Sequence, residues 1–388
     1  MFARMVEKSL IVFLLISVVL AAISGCAREE KVHKIGAIFD VTGTTSDLGV
    51  PEKNTAAMLE EEINAAGGIN GNQVQIIVYD TKGDETTARN SLQKLIDVDK
   101  VSAIVGPTRS GTSLGILDLI QGAQIPNISC AASVKIVEPV AEREWVFKTP
   151  QSDVLMGQAI VDYLVSQDIT KVATITERNP FGASGKEQLE KLLPGAGIEI
   201  VGKEEFGAED PDTSVQLTKI KGTEAQAVIC WSTSKGGAVV TRNMKADLQI
   251  EMPLIMSHGV ANMAYIDLSG EAANGVIFPC GKLLVANELP DSDPQKAVLV
   301  KYAADYKAKF SEEPSTFGGH AWDAIHLIVN AMKKVGDDKI KIRDEVENTK
   351  NFVGTGGIFN FSPTDHNGLK KQGVVMIKIV DGKWTLAQ

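Results

Sequence analysis

The sequence predicts an α/β protein of two doubly wound lobes, each a parallel sheet flanked by helices. Three observations predict it. Strand-like and helix-like stretches alternate along the chain, the order that builds parallel sheets through helical crossovers. The rhythm restarts after Phe147-Lys148-Thr149-Pro150, giving two series of similar length. Residues 26–388, which follow the amino-terminal segment, are more than one hydrophobic core usually organises.

At the amino terminus Arg4 and Lys8 precede an apolar stretch, Leu10 to Ile23, that closes on Ser24 and Gly25 before Cys26. Charge, apolar core and small residues in that order make an export signal. The stretch is short against the ~20 apolar residues of a membrane span. Ile23-Ser24-Gly25-Cys26 resembles a bacterial lipobox, which implies cleavage before Cys26 and acylation of that cysteine. Two acyl chains anchor a protein stably, each buried methylene contributing ~0.8 kcal/mol. Residues 1–25 are therefore expected to be a signal and 26–33 a linker, with the body outside the cytoplasm. An anchor helix with an incidental cysteine is the alternative, and it gives the same compartment.

The first series runs from a strand at Lys34 to Phe39, through a loop with Thr42, Gly43, Ser46 and Gly49, to an amphipathic helix at about Glu52 to Ala66. Gly67-Gly68 ends it. The strand Gln73 to Asp80 alternates with period two. A helix at Thr86 to Asp97, the apolar strand Val101 to Val105, a helix at Gly111 to Gln121 and a strand at Ile125 to Ser129 follow. The second series reads helix Val154 to Ser166, strand Lys171 to Thr176, helix Gly182 to Leu193, strand Ile198 to Phe206, helix Asp212 to Lys221 and strand Ala227 to Trp231. Strands at Leu254 to Ser257 and Gly275 to Cys280 close it. Long helices at Lys296 to Phe310 and Ala321 to Val335 come next, then an antiparallel pair within Gly373 to Leu386.

The formal charge is −10, from 39 basic and 49 acidic residues, with no Lys/Arg cluster after the signal. That argues against nucleic acid, whose binding needs concentrated positive charge. Cys130, Cys230 and Cys280 lack CxxC spacing and sit in apolar, strand-like surroundings, so buried free thiols are expected. Spacing leaves a Cys230–Cys280 bridge open.

Several segments then carry a resemblance. Ala65-Ala66-Gly67-Gly68-Ile69-Asn70-Gly71, Asp80-Thr81-Lys82-Gly83-Asp84, Val105-Gly106-Pro107 and Ile125-Pro126-Asn127-Ile128-Ser129 together resemble the leucine/isoleucine/valine-binding branch of the periplasmic solute-binding proteins of ABC transporters. The resemblance spans essentially all of residues 26–388. It implies the type I periplasmic binding protein fold: two lobes joined by three crossing strands, with passages near Thr149, Lys282 and Phe359. Lobe 1 is then 34–149 with 282–358, and lobe 2 is 150–281 with 359–388.

In doubly wound sheets ligands sit beyond the carboxyl ends of strands, facing helix amino termini. Gly106-Pro107-Thr108-Arg109-Ser110-Gly111 joins such a strand end to such a helix start. By resemblance, Ser110 bonds a ligand carboxylate, and Ala131-Ala132-Ser133 adds backbone groups and the Ser133 hydroxyl. Ser110 is also a good helix cap. The resemblance also places a wall residue at Phe181 in lobe 2, with Trp231 to Ser234 close by; an aromatic there covers an apolar ligand body, and ordinary lobe packing is the alternative. Leu48 stands where relatives often carry an aromatic side chain. His258 stands where amino-acid-binding members tend to carry an acid that pairs with the ligand's ammonium. A buried ammonium without a partner costs ~3 to 5 kcal/mol. Either Glu177 or Asp323 substitutes, or the ligand lacks an amine and His258 and Arg109 serve as donors. A capping role for His258 is the alternative.

Two motifs imitate enzymes. Gly111-Thr112-Ser113-Leu114-Gly115 matches GxSxG, but five residues after Val105 rather than on the tight turn the chemistry requires. Gly182-Ala183-Ser184-Gly185-Lys186 is too short for a phosphate loop, and Glu187 follows where Ser or Thr belongs. His33, His258, His320, His326 and His366 show no metal-ligand spacing, and His320 and His326 read as surface or packing residues. The expectation is a monomeric binding protein without catalysis or cofactor, capturing a small carboxylate-bearing ligand for ABC permease subunits. A ligand sensor for a signalling receptor is the alternative; a serine hydrolase is remote.

Overall fold

The computed structural model describes residues 31–387, so the segment expected to be a signal and lipobox, with Cys26, lies outside the described residues. Two sheets organise the chain. The first is wholly parallel, in the order β2-β1-β3-β4-β5, with β1 His33–Phe39, β2 Val74–Asp80, β3 Ala103–Val105, β4 Asn127–Ser129 and β5 Val146–Lys148. The second contains β6 Lys171–Glu177, β7 Glu199–Phe206, β8 Ala227–Trp231, β9 Leu254–Met256 and β10 Ile277–Gly281, all parallel, in the order β7-β6-β8-β9-β10. Counted within each lobe, both follow the doubly wound order 2-1-3-4-5. The second sheet is extended at the β10 edge by the antiparallel strands β13 Val374–Val380 and β14 Lys383–Leu386.

Both faces of each sheet are covered, which is why β3 and β8 are apolar at every position rather than alternating. In lobe 1, helices α1 (Ser46–Ala65) and α11 (Thr316–Val335) cover one face, packing Ala56, Leu59, Ala324 and Ile328 on Ile35, Phe39 and Val105. Helices α2 (Glu85–Lys94), α3 (Ser110–Leu114) and α4 (Leu117–Ala123) lie along the other part of this lobe, where Leu92, Ile116 and Ile120 meet Ile38 and Ile104. In lobe 2, α5 (Asp153–Ser166) and α6 (Pro180–Gly195) bring Met156, Ile160, Leu189 and Leu193 onto Val172 and Ile229. Helices α7 (Ser214–Lys221), α8 (Ser234–Arg242) and α9 (Met263–Ser269) pack Leu217, Val240 and Tyr265 on Ile175, Val228 and Met256. Helix α10 (Lys296–Phe310) returns to lobe 1, where Tyr302 Oη and Thr55 Oγ1 are 2.8 Å apart.

Several elements differ from the sequence reading. Helix α1 starts before Pro51 instead of after it, and the expected helix over Gly111 to Gln121 is broken at Gly115-Ile116. Helices α8, α9 and α12 (Lys339–Glu347) and strand β5 were not anticipated. The last passage between lobes also moves. Phe359, Phe361 and Leu369 are buried in the lobe 1 core, and β12 (Ile358–Phe359) pairs with β11 (Phe352–Val353). The chain therefore crosses between Leu369 and Val374 rather than near Phe359, because apolar residues there complete the first core before the second is reached. The other passages, after Lys148 and after Gly281, run where β5 ends against α5 and where Leu283 joins Met58 and Tyr302.

Candidate functional site

The strand order reverses between β1 and β3 in lobe 1 and between β6 and β8 in lobe 2. Loops at such points diverge and leave a crevice. Here the two crevices face each other and share one cavity, lined from both lobes.

Lobe 1 lines the cavity with Leu48 from α1, Thr108 to Gly111 from the β3–α3 loop, Cys130 to Ala132 after β4, and Thr316, Phe317 and His320 from α11. Glycine shapes the β3 exit: Gly106 has φ +88° and passes so close to Ile38 that a Cβ would lie 2.3 Å from its carbonyl oxygen. Ser110 is the first helical residue of α3, with Arg109 at the cap position, so Ser110 is not the cap. Its Oγ accepts the Ser133 N–H at 3.3 Å, leaving its own proton without an acceptor among the described residues. The Ser133 side chain does not line the cavity. It meets Ser184 Oγ of lobe 2 at 2.8 Å, and Ser184 in turn donates to Asp153. Arg109 donates to the Gly83 carbonyl at 3.4 Å and keeps part of its surface in the cavity.

Lobe 2 contributes Asn179, Pro180 and Phe181 at the start of α6, Thr233 after β8, and His258 and Gly259 after β9. Asn179 caps α6 through Gly182 N, and a Cβ on Gly182 would sit 1.9 Å from the Glu177 carbonyl oxygen. The loop can therefore fold tightly enough to aim Phe181 at the cleft. Phe181 stands edge-on to His258 at 5.4 Å between centroids. Trp231 lies behind both rings, fully buried, 5.8 Å from Phe181 and 5.9 Å from His258. It supports the wall without lining it. The turn at His258 is capped by Ser257, so His258 has no capping duty.

The electrostatics are uneven. Arg109 is the only charged side chain among the lining residues, which include no carboxylate. Glu177 accepts from Ser232 Oγ at 2.7 Å and Thr233 N at 3.1 Å, while Asp323 accepts from Thr355 N at 2.6 Å and Gly356 N at 2.7 Å. Neither expected substitute acid reaches the cavity. Burial pushes the His258 and His320 imidazoles down to about 3, helped by the Lys148 charge, so both are neutral at physiological pH. Behind the Ala132 loop, burial lowers Lys148 to about 7; its ammonium donates to the Ala132 and Pro150 carbonyls at 2.6 and 3.1 Å. Glu52, behind Thr108, is held well above the carboxylate range by burial. Helices α6 and α11 both begin at the cavity, adding partial positive charge.

The lobes touch across the cleft. Asn262 Nδ2 donates to Asp47 Oδ2 at 3.1 Å and to Ser234 Oγ at 2.7 Å, and Thr316 Oγ1 donates to the Ala261 carbonyl at 3.4 Å. The imitation motifs have no reactive geometry: Ser113 Oγ sits 2.8 Å from Ser129 Oγ, and Lys186 of α6 pairs with Glu205 of β7 at 2.7 Å. All three cysteines in the described residues are free and buried.

Sequence reasoning thus gathers Leu48, Arg109, Ser110, Ala131, Phe181 and His258 at the cavity and misassigns Ser133 and Trp231 by one layer. It misses Thr108, Phe317 and His320, while Thr233 falls in the stretch Trp231 to Ser234 expected beside Phe181. For His320 the sequence offers a helix start, Ser315 accepting from Gly318 N, but not the direction in which that start faces.

Residues 33–383 match the periplasmic binding protein family. Among curated proteins, the leucine-, isoleucine-, valine-, threonine- and alanine-binding protein of Pseudomonas aeruginosa is 22% identical over 82% of each chain. The Leu/Ile/Val-binding protein homolog 3 of Brucella melitensis is 23% identical over 95% of this chain and 98% of its own. Among solved structures, an extracellular ligand-binding receptor from Rhodopseudomonas palustris superimposes with TM-score 0.86 at 27% identity, covering 92% of this chain and 99% of that one. The branched-chain amino acid transporter substrate binding protein LivJ from Streptococcus pneumoniae, in complex with isoleucine, gives 0.83 at 27% identity over 92% and 99%.

Proposed function

The chain belongs to the periplasmic binding protein family, and on that premise we propose that it is the extracytoplasmic receptor of an ABC importer whose cargo is a small carboxylic acid without an amine. The relatives' names, amino-acid-binding proteins and a transporter substrate binding protein, support a transport role and a carboxylate-bearing cargo. One observation carries the narrower reading: the cavity lining holds an arginine and two neutral histidines but no carboxylate. An α-ammonium there would lose its water without gaining a counter-charge, at a cost of several kcal/mol. A carboxylate meets the Ser110 hydroxyl proton, Arg109 and the positive ends of α6 and α11, all suited to an anion. Phe181, Phe317 and Leu48 suit an apolar, aromatic or branched body.

Ligand contacts with both lobes favour a closed form over an open one, the passages after Lys148, Gly281 and Leu369 acting as the hinge. Cys26 would be acylated and tie the protein to the membrane beside its permease. Thermal-shift titration tests the cargo, since a ligand at 100 times its Kd adds about 2.7 kcal/mol. Phenylacetate or 4-methylpentanoate should stabilise the protein and leucine should not; stabilisation by leucine, isoleucine or valine alone refutes the amine-free reading.

A further inference from the structure

The cavity holds buried polar atoms that neither the fold nor a carboxylate contact uses. Both ring nitrogens of His258 and Nδ1 of His320 are shielded from solvent and have no hydrogen-bond partner. His258 is 8% exposed and His320 4%, and both line the cavity, one from each lobe. Leaving a buried donor or acceptor unpaired is costly, so such atoms point to a missing partner. Their neighbours inside the wall are rings: His258 stands edge-on to Phe181 and Trp231, and His320 edge-on to Phe317 at 6.2 Å. None of these ring contacts gives the histidine nitrogens a hydrogen-bond partner.

An uncharged partner fits these nitrogens best, because the lining beside them supplies no ion to balance a charge. Each neutral imidazole offers one N–H and one lone pair, so it answers a group that accepts, donates or does both. The lining charge, Arg109, belongs to the Ser110 loop. A second carboxylate at the histidines would need a cation that the lining does not provide.

We propose that His258 and His320 form a second polar subsite that recognises an uncharged oxygen, a hydroxyl or a carbonyl, on the ligand body, so that the cargo is a hydroxy or oxo acid. This rests on the amine-free reading above and narrows it. A site built to hydrogen-bond a ligand oxygen rejects the analogue without it much more strongly than an apolar pocket rejects an extra methylene.

Isothermal titration of the purified protein with matched acids tests the subsite: 4-hydroxyphenylacetate against phenylacetate, and 4-methyl-2-oxopentanoate against 4-methylpentanoate, with leucine as a separate arm. The expected result is that the oxygenated member of at least one pair binds about ten-fold tighter or more. His258→Leu and His320→Leu should reduce that ratio towards one, and His258→Gln and His320→Gln, which keep a donor and an acceptor, should preserve most of it. Equal affinity within both pairs overturns the subsite alone and leaves the amine-free reading standing. A preference that survives both leucine variants overturns it too. If a leucine variant does not fold, the matched pairs on the unaltered protein still decide. Leucine binding tightest, or no acid binding, removes the subsite and the reading beneath it together.

Discussion

The two walls of the cavity differ in how far the protein satisfies its own polar groups. On the lobe 1 loops they answer one another: Ser110 Oγ takes the Ser133 N–H, Thr108 Oγ1 takes the Asp40 N–H at 3.0 Å, and Ser129 Oγ takes the Ala131 N–H at 3.1 Å. On the lobe 2 wall, His258 has two unpartnered nitrogens and the Trp231 indole N–H has none to receive it. Lobe 1 leaves its own exceptions at His320 and at Glu52 Oε1. A satisfied group exchanges one hydrogen bond for another when a ligand arrives, a net of about 0.5 to 1.5 kcal/mol for neutral pairs. An unsatisfied one removes a standing penalty of about 1 to 3 kcal/mol. The serine wall therefore fixes orientation, and the aromatic wall has more to gain from the right ligand.

That contrast can be broken in four ways, taken from the largest effect down. Trp231→Ala empties the space behind Phe181 and His258 and should cost about 3 to 5 kcal/mol of stability in denaturant unfolding. Ser110→Ala should cost less than about 1.5 kcal/mol in the same assay, the size of one neutral hydrogen bond. Equal losses would mean that the walls do not differ in structural weight.

Acid should act through the histidines. His258 and His320 titrate near 3 when folded and at the ordinary 6.5 when unfolded, so the unfolded chain takes up protons between those values and the native one does not. Their contribution is complete above about pH 6.5 and is lost as pH falls towards 3, on the order of a few kcal/mol. Asp323, raised to about 7 by burial, works in the opposite sense: it stabilises as pH falls from about 7 to below its ordinary 3.8. Equilibrium unfolding against pH should show a shallower acid arm in the His258→Gln, His320→Gln double variant. An unchanged arm would return the acid sensitivity to the carboxylates.

Ser110→Ala should weaken a bound carboxylate by about 1.5 to 3 kcal/mol, the range for hydrogen bonds to charged groups. Unchanged affinity by calorimetry takes Ser110 out of the site. The smallest effect belongs to the bridge between the lobes. Asp47→Ala removes the lobe 1 acceptor of Asn262, leaving Ser234 in lobe 2, and should weaken ligand binding by about 1 kcal/mol through closure alone, without changing which ligand is preferred.

The alternation of strands and helices was legible because buried parallel strands leave continuous apolar runs; Ala227–Trp231 was read to the residue. Helix α8 was not, because Gly236-Gly237 reads as a loop. Those glycines are there for contact: Cβ atoms would meet Ser232 Oγ and Met256 Cε at 2.7 Å. The third crossing was misread because apolarity at Phe359 and Phe361 says that they are buried and not in which core. At the site, position at a strand end found Ser110, Phe181 and His258. It could not tell which side of the terminus Trp231 faces, nor that Ser133 turns towards Ser184. His320 was set aside because helical spacing cannot show that the first turn of α11 looks across to another lobe.

Strands β13 and β14 have a consequence for the order in which the molecule can be assembled. Ile377 and Ile379 are fully buried in lobe 2, and β13 pairs with β10 from Ile277 to Gly281, yet both late strands follow every segment of lobe 1 in the sequence. During synthesis or threaded export from the amino terminus, lobe 1 has all its strands and helices before lobe 2 has its edge. Until residues 374–386 emerge, β10 is an open edge strand, the kind that pairs with other chains. The second lobe is thus the one whose sheet stays open longest as the chain emerges, because its last edge is built from the final residues of the sequence.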